Sequence, residues 1–305
     1  MMRLLAGLLA LGTALATTLF AQTPDRRLTP VWDLTAGFAS PESAFYDAAS
    51  NAIFVSSING QILDKDGNGY ISRLSPDGKV VAEKWATGVN APKGLRSARG
   101  VLYAADIDTV VGFDLKSGRE VSRTTIDGAV FLNDLATAPD GTIYVSDSTA
   151  LKIFEVRNGT ASVFVEGGNQ VEQPNGLLVD GGRLILGSVG PAPAPGAPRG
   201  GGAGRGSVAG HLFAFDRKSK QRTLLTAEPV GGIDGIELDG RGGLLVTDVI
   251  GQRLLHVSKA GKVTVLAGFS AGGADFGYIS ARRLAIVPFL FGNSVAAYDL
   301  TAALK

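Results

Sequence analysis

The 305-residue chain has no cysteine, which excludes disulfides, a thiolate metal site and an acylated lipoprotein cysteine. Histidine is nearly absent too, with only two copies, so a metal site or a base built on imidazole has little to draw on. An excess of charge of one sign is also missing. The formal net charge is +1, and removing residues 1–21, whose one charged side chain is Arg3, takes it to 0. A neutral surface argues against nucleic acid or an anionic membrane as the main partner. Long helical patterns are scarce as well. In their place 42 glycines are spread along a chain that is 45% hydrophobic, which favours many short strands joined by turns around a large core.

The first residues, MMRLLAGLLALGTALATTLFA, stand apart. One early Arg followed by an uncharged Leu- and Ala-rich run reads as a secretory signal over 1–21, cut between Ala16 and Gln22, with a periplasmic or secreted product. An uncleaved anchor is the alternative, because the run is nearly long enough to span a bilayer. After cleavage no stable membrane association is expected.

The rest of the chain is a repeat. APKGLRSARGVLYAAD, FLNDLATAPDGTIYVSD, QPNGLLVDGGRLILGS and GIDGIELDGRGGLLVTD share one form, and SPESAFYDAASNAIFVSS and GADFGYISARRLAIVP are looser copies. Each has a polar residue, a short apolar strand, a turn and a second β-rich strand. The polar positions are Glu42, Lys93, Asn133, Asn175, Asp234 and Asp275, spaced by 51, 40, 42, 59 and 41 residues, and the long gaps contain insertions. Two further strands come after each pair, as in LKIFEVR and ASVFVEG. Four strands per period of about 40 residues predict an all-β, six-bladed β-propeller of four-stranded antiparallel blades over residues 29–300. The Trp-Asp signature of WD40 repeats is missing. The last segment has only three strands, so the stretch 29–40, TPVWDLTAGFAS, is expected to complete the sixth blade and cover its edge.

In such a fold each innermost strand begins at the axis. The six polar residues then point into the central channel, and Gly176 lets backbones approach closely there. Glu42, Asn133, Asn175 and Asp234 bring two carboxylates and two amide oxygens to one mouth. That set suits Ca²⁺, with Mg²⁺ or Mn²⁺ next and Zn²⁺ less natural. Polarity of the ring by itself supports a hydrated channel equally well.

The motifs Pro-Glu at Glu42, Asn-Asp at Asn133, Pro-Asn-Gly at Asn175 and Asp-Gly at Asp234 stand in the type and order of a known metal tetrad. On them, residues 29–300 resemble the gluconolactonase, regucalcin (senescence marker protein) and luciferin-regenerating-enzyme family, related to diisopropylfluorophosphatase. The resemblance implies a divalent-metal-dependent hydrolase acting on a small lactone or related ester. It also implies a metal held by Glu42, Asn133, Asn175 and Asp234, with Asp234 activating water or attacking directly.

Two axial residues depart from the tetrad. Lys93 is read either as pairing with Asp275 or Glu42, or as a catalytic ammonium that anchors substrate or steadies an oxyanion. Asp275 either neutralises Lys93 or holds a second ion deeper in the channel. Asp134, beside Asn133, is a supporting candidate or a backbone cap. His211 and His256 are expected to be packed strand residues. Asp106, Asp147 and Asp248, which recur after the second strands, are expected to cap turns.

Residues 190–210, GPAPAPGAPRGGGAGRGSVAG, are expected to form a flexible loop inserted in blade four, above the site or idle. DKDGNG (64–69) imitates half a calcium loop, but Ser75 stands where the bidentate acid belongs, so a hairpin turn is expected instead. Two other functions compete with hydrolysis. One is a metal-stabilised propeller that binds a sugar or protein without catalysis. The other is metal-free catalysis of the strictosidine-synthase kind, against which the intact tetrad argues.

Overall fold

The structure is a computed structural model that describes residues 27–192 and 208–304. The expected export segment 1–21, and most of the inserted 190–210 loop with Arg199 and Arg205, lie outside the described residues. Six separate four-stranded sheets make up the fold, and every strand pairing within them is antiparallel. The inner strands, from blade one to blade six, are Pro41–Asp47, Pro92–Ala98, Leu132–Thr137, Pro174–Asp180, Ile233–Leu238 and Gly277–Ile279. Among the described residues no helix is long and apolar enough to cross a membrane.

Sequence character varies with distance from the axis. Second strands such as Ala52–Ser57, Ile143–Asp147 and Leu244–Asp248 are buried along their whole length. They pack against neighbouring blades on both faces, which is why AIFV, IYV and LLV run without polar alternation. Outer strands such as Glu120–Thr125 face solvent and are largely polar, a composition that blunts an open sheet edge. The core is divided accordingly. Six apolar clusters each fill the space between two adjacent blades; one joins Phe54 and Ile71 to Leu102 and Phe113, and another joins Ile53 and Val55 to Ile286 and Val295.

Closure has the expected pattern. Trp32–Leu34 pairs with Ser294–Asp299 as the fourth strand of blade six, and the Val31 N–H adds a bond of 2.7 Å to the Ala297 carbonyl. The ring is thus locked by both ends of the chain.

The DKDGNG stretch is not a tight hairpin. Residues 58–68 form a longer connection between Ala52–Ser57 and Gly69–Leu74, because the paired register of those strands stops at Ser57 and Tyr70. Within it the Asp66 carboxylate accepts from the Asn68 amide side chain at 2.6 Å, and Asn90 Oδ1 accepts from the Gly67 N–H at 3.1 Å. The polar groups of this loop are engaged with one another and with Asn90 and Asp108 outside it.

Candidate metal and active site

Five inner strands carry the same irregularity at the axial end. Register is interrupted between Pro41 and Ala44, Pro92 and Leu95, Leu132 and Leu135, Pro174 and Leu177, and Ile233 and Ile236. A bulge of this kind releases side chains from the alternation of the strand and re-aims them. The first residue in each bulge is Glu42, Lys93, Asn133, Asn175 or Asp234. The second faces the neighbouring blade, and in three blades it is glycine. A Cβ on Gly94 would overlap Asp134, one on Gly176 would overlap the Asp234 carbonyl, and one on Gly235 would stand 2.7 Å from the Phe276 nitrogen. Where a side chain is present it ties the blades together. Ser43 Oγ accepts from the Leu95 N–H at 3.3 Å, and the Asp134 carboxylate accepts from the Leu177 N–H at 2.7 Å.

The four oxygen-bearing residues share a further property. Glu42 Oε2, Asn133 Oδ1, Asn175 Oδ1 and Asp234 Oδ1 are buried and have no hydrogen-bond partner. Leaving a buried acceptor unsatisfied costs about 1–3 kcal/mol, yet four stand at equivalent places around one channel. Asn133 is held by a neighbour: it donates its amide N–H to Ser148 Oγ at 3.1 Å, so its oxygen is the free end.

Electrostatics marks the same spot. Burial, reinforced by Asp275, pushes the Asp234 carboxyl up to about 8, against a hydrogen bond from Asn175. Burial, then Asp234 and Asp275, raises Glu42 well above its ordinary value. Asp134 is raised by burial and Asp275, while Arg96 and the Leu177 and Leu135 N–H groups oppose the shift. Lys93 is 1% exposed; burial lowers its ammonium to about 8, against the pull of Glu42. Among the described residues five carboxylates, counting Glu237, face two cationic side chains in this channel. Their oxygens are hard donors. The ring pairs two carboxylates with two amide oxygens, a donor set that fits a hard divalent ion; among the described residues no three His, Cys, Asp or Glu are grouped as a metal site by themselves.

The other axial candidates divide. Lys93 forms no ion pair among the described residues. Its Nζ donates to the Ala91 carbonyl at 2.9 Å and lies 4.7 Å from the centre of the Phe131 ring. Asp275 is not its partner. That carboxylate takes both arms of Arg96, at 3.0 and 3.3 Å, and the Ser43 hydroxyl at 2.6 Å. Burial works against the Arg96 charge, but Asp275, Asp134 and Glu237 outweigh it and hold the guanidinium firmly protonated.

Nothing in the sequence pattern singles out Arg96 and Glu237. Each lies three residues after a ring position, and the only signal is a charge in the middle of an otherwise apolar inner strand. Asp134 both caps backbone and faces Arg96, with 4.0 Å between charged atoms.

Asp106, Asp147 and Asp248 receive backbone N–H groups, including those of Ala91 at 2.8 Å, Val130 at 2.7 Å and Gly232 at 2.9 Å. Blade four has Ser188 at the matching register position. There Glu172 supplies the carboxylate instead, accepting from Ser188 Oγ and from the His211 N–H. His211 therefore precedes its strand and holds Glu172 Oε1 through Nδ1 at 2.6 Å. His256 lies within its strand and meets Asp239 at 2.8 Å. An open depression of ≈ 350 Å³ lies at the far ends of the inner strands, lined by Ser97, Arg99, Thr137 and Pro139 among others. It contains none of the buried ring groups.

Fold and ring together define a six-bladed propeller with an oxygen-lined channel mouth. The same fold occurs in a gluconolactonase from Xanthomonas campestris, with a TM-score of 0.61 at 17% identity over 90% of this chain and 94% of that one. It also occurs in a structural-genomics protein provisionally described as a gluconolactonase, with a TM-score of 0.62 at 16% identity over 91% of this chain and 93% of that one. At such identities the likeness is one of fold. No family model matches the chain, and no curated protein matches it in sequence.

Proposed function

We propose that this propeller is an exported lactonase-type hydrolase that holds one divalent cation, Ca²⁺ by the chemistry of its donors, at Glu42, Asn133, Asn175 and Asp234. The observation that carries the reading is the set of four buried, unbonded oxygens on four different blades. Two of them are carboxylates whose shared burial makes ionisation unfavourable until a cation arrives. A divalent ion, when bound, polarises a carbonyl and stabilises negative charge on its oxygen.

The chain's own groups supply the rest. Asp234 has one buried oxygen with no hydrogen-bond partner; with a cation holding the carboxylate ionised, it can orient a water molecule and accept its proton. The same carboxylate is placed to attack directly in the alternative route. Lys93, held by Ala91 and stacked over Phe131, has N–H protons left over for a developing oxyanion or for a substrate oxygen. The gluconolactonase fold neighbours support a small cyclic ester as substrate.

The test combines metal analysis with a screen of aldonolactones, acyl-homoserine lactones and aryl esters, with and without chelator. Hydrolysis that disappears on chelation and in Asp234→Asn is the expected result. A chelator-sensitive melting temperature with no turnover of any ester would instead indicate a binding propeller.

A further inference from the structure

Below the ring lies a second set of oxygens arranged around a centre of positive charge. Arg96 extends from the inner strand of blade two. Its guanidinium meets Asp275 of blade six through two hydrogen bonds, at 3.0 and 3.3 Å. It lies 3.9 Å from Glu237 of blade five and 4.0 Å from Asp134 of blade three. Nη1 also donates to the Leu95 carbonyl at 2.7 Å, and the Phe45 ring of blade one flanks it at 5.7 Å. Ser43 Oγ closes the shell by donating to the same Asp275 oxygen that takes Nη1.

Carboxylates from three blades surround the guanidinium, with a hydroxyl and a carbonyl beside them, and oxygens of these kinds are the donors a hard cation takes. Here the cation is covalently part of the chain. Its charge cannot be titrated away, and its planar fork fixes the direction of each contact. We infer that Arg96 is the resident cation of the channel, filling the place an ion would take among Asp134, Glu237 and Asp275, so that the ring takes one divalent ion and a second is excluded.

The arrangement also makes Arg96 a positioning residue for the ring. Asp134 carries the Leu177 N–H of the Asn175 strand, and Asp275 is bonded through its backbone N–H to the Glu42 carbonyl at 3.0 Å. The count of one rests on the proposed metal ring; the filling of the lower shell does not.

Calcium stoichiometry by titration calorimetry and elemental analysis, at pH 8 where protons compete less than at neutrality, tests both parts. The unaltered protein is expected to hold one ion, E42Q/D234N none, and R96M two. R96M/D275N is expected to return to one, and R96M/E42Q/D234N to retain one in the lower shell. If E42Q/D234N keeps a tightly held ion, or folded R96M gains none, the inference is overturned. An unaltered protein that binds no calcium defeats the ring reading alone, and the gain in R96M still decides the role of Arg96. Should R96M not fold, E42Q/D234N decides: no ion supports a filled lower shell, and one retained ion refutes it.

Discussion

Where Gly176 passes Asp234, blade four comes so near blade five that a single methyl on Gly176 would overlap the Asp234 carbonyl oxygen. The contact links the strand carrying one ring oxygen to the strand carrying the next. Gly176→Ala must therefore push the two strands apart, and overpacking of this kind costs about 1–3 kcal/mol. The expected outcome is a destabilised protein whose calcium affinity falls with its stability. Gly182→Ala is the control, because nothing stands within 4 Å of its added methyl; its stability should change by less than about 0.5 kcal/mol. Denaturant titration with and without calcium measures both.

Neutralising a ring carboxylate should remove the response to calcium more than it removes the fold. Glu42 and Asp234 are raised mainly by burial and by the carboxylates around them, so Glu42→Gln and Asp234→Asn relieve ion-free repulsion. Calcium at about 100 times its Kd adds about 2.7 kcal/mol to the native protein. For a domain of this size that is a rise in melting temperature of about 5 °C. In D234N the rise should vanish while the ion-free melting temperature holds or increases. A D234N protein that keeps the full calcium shift would remove Asp234 from the ring.

Much of this geometry is legible because the repeat writes it six times. Spacings from Glu42 to Asp275 give the blade count, and the three-stranded remainder at 277–299 requires an N-terminal strand. Asn175 belongs on the axis because an Asn-Gly before an apolar run is not a hairpin. Relationships between blades are another matter. Arg96 and Glu237 are single charges in different inner strands, and nothing in either strand says that they meet. Glu172 is hidden for a related reason: it replaces a strand-end Asp from a different place in the chain, so no motif repeats. Of the two partners the sequence offers Lys93, Asp275 is taken by a competing guanidinium three residues later, with two arms to offer where an ammonium has one point of charge.

The pH dependence of the ion-free protein has a defined sign. Burial raises Asp234 from 3.8 to about 8 and Glu237 from 4.5 to about 7. A carboxyl raised in the folded state binds protons there that the unfolded chain has released. Its contribution is complete below the unfolded value and is lost as pH rises through the folded one. Ion-free protein should therefore lose stability steadily between about pH 4 and pH 8. Saturating calcium should flatten the upper part of that decline, since the ion takes the place of the protons. Glu237→Gln should remove the part of the slope between about pH 4.5 and 7 and leave the calcium response intact. Melting temperatures across a pH series, with chelator and with calcium, test the sign; ion-free stability that rises over this window contradicts it.

Closure of the ring depends on Trp32. This residue sits in a three-residue strand, and a Cβ on Gly78 would meet its ring at 2.6 Å. It packs with Leu34 against the apolar cluster that joins blade six to blade one. Gly78 also adopts φ 79, a conformation that favours glycine. Trp32→Ala removes the ring from this seat and should cost about 3 kcal/mol, the low end for truncating a packed aromatic. Gly78→Ala should destabilise through the same contact and through its backbone. Deleting the chain up to and including Leu34 is more severe, because Ser294–Asp299 becomes an exposed edge that invites pairing with another molecule. Light scattering during heating should therefore show aggregation of the truncated protein at temperatures where Trp32→Ala is still folded. Equal behaviour of the two would mean that the ring is closed by packing and not by the strand.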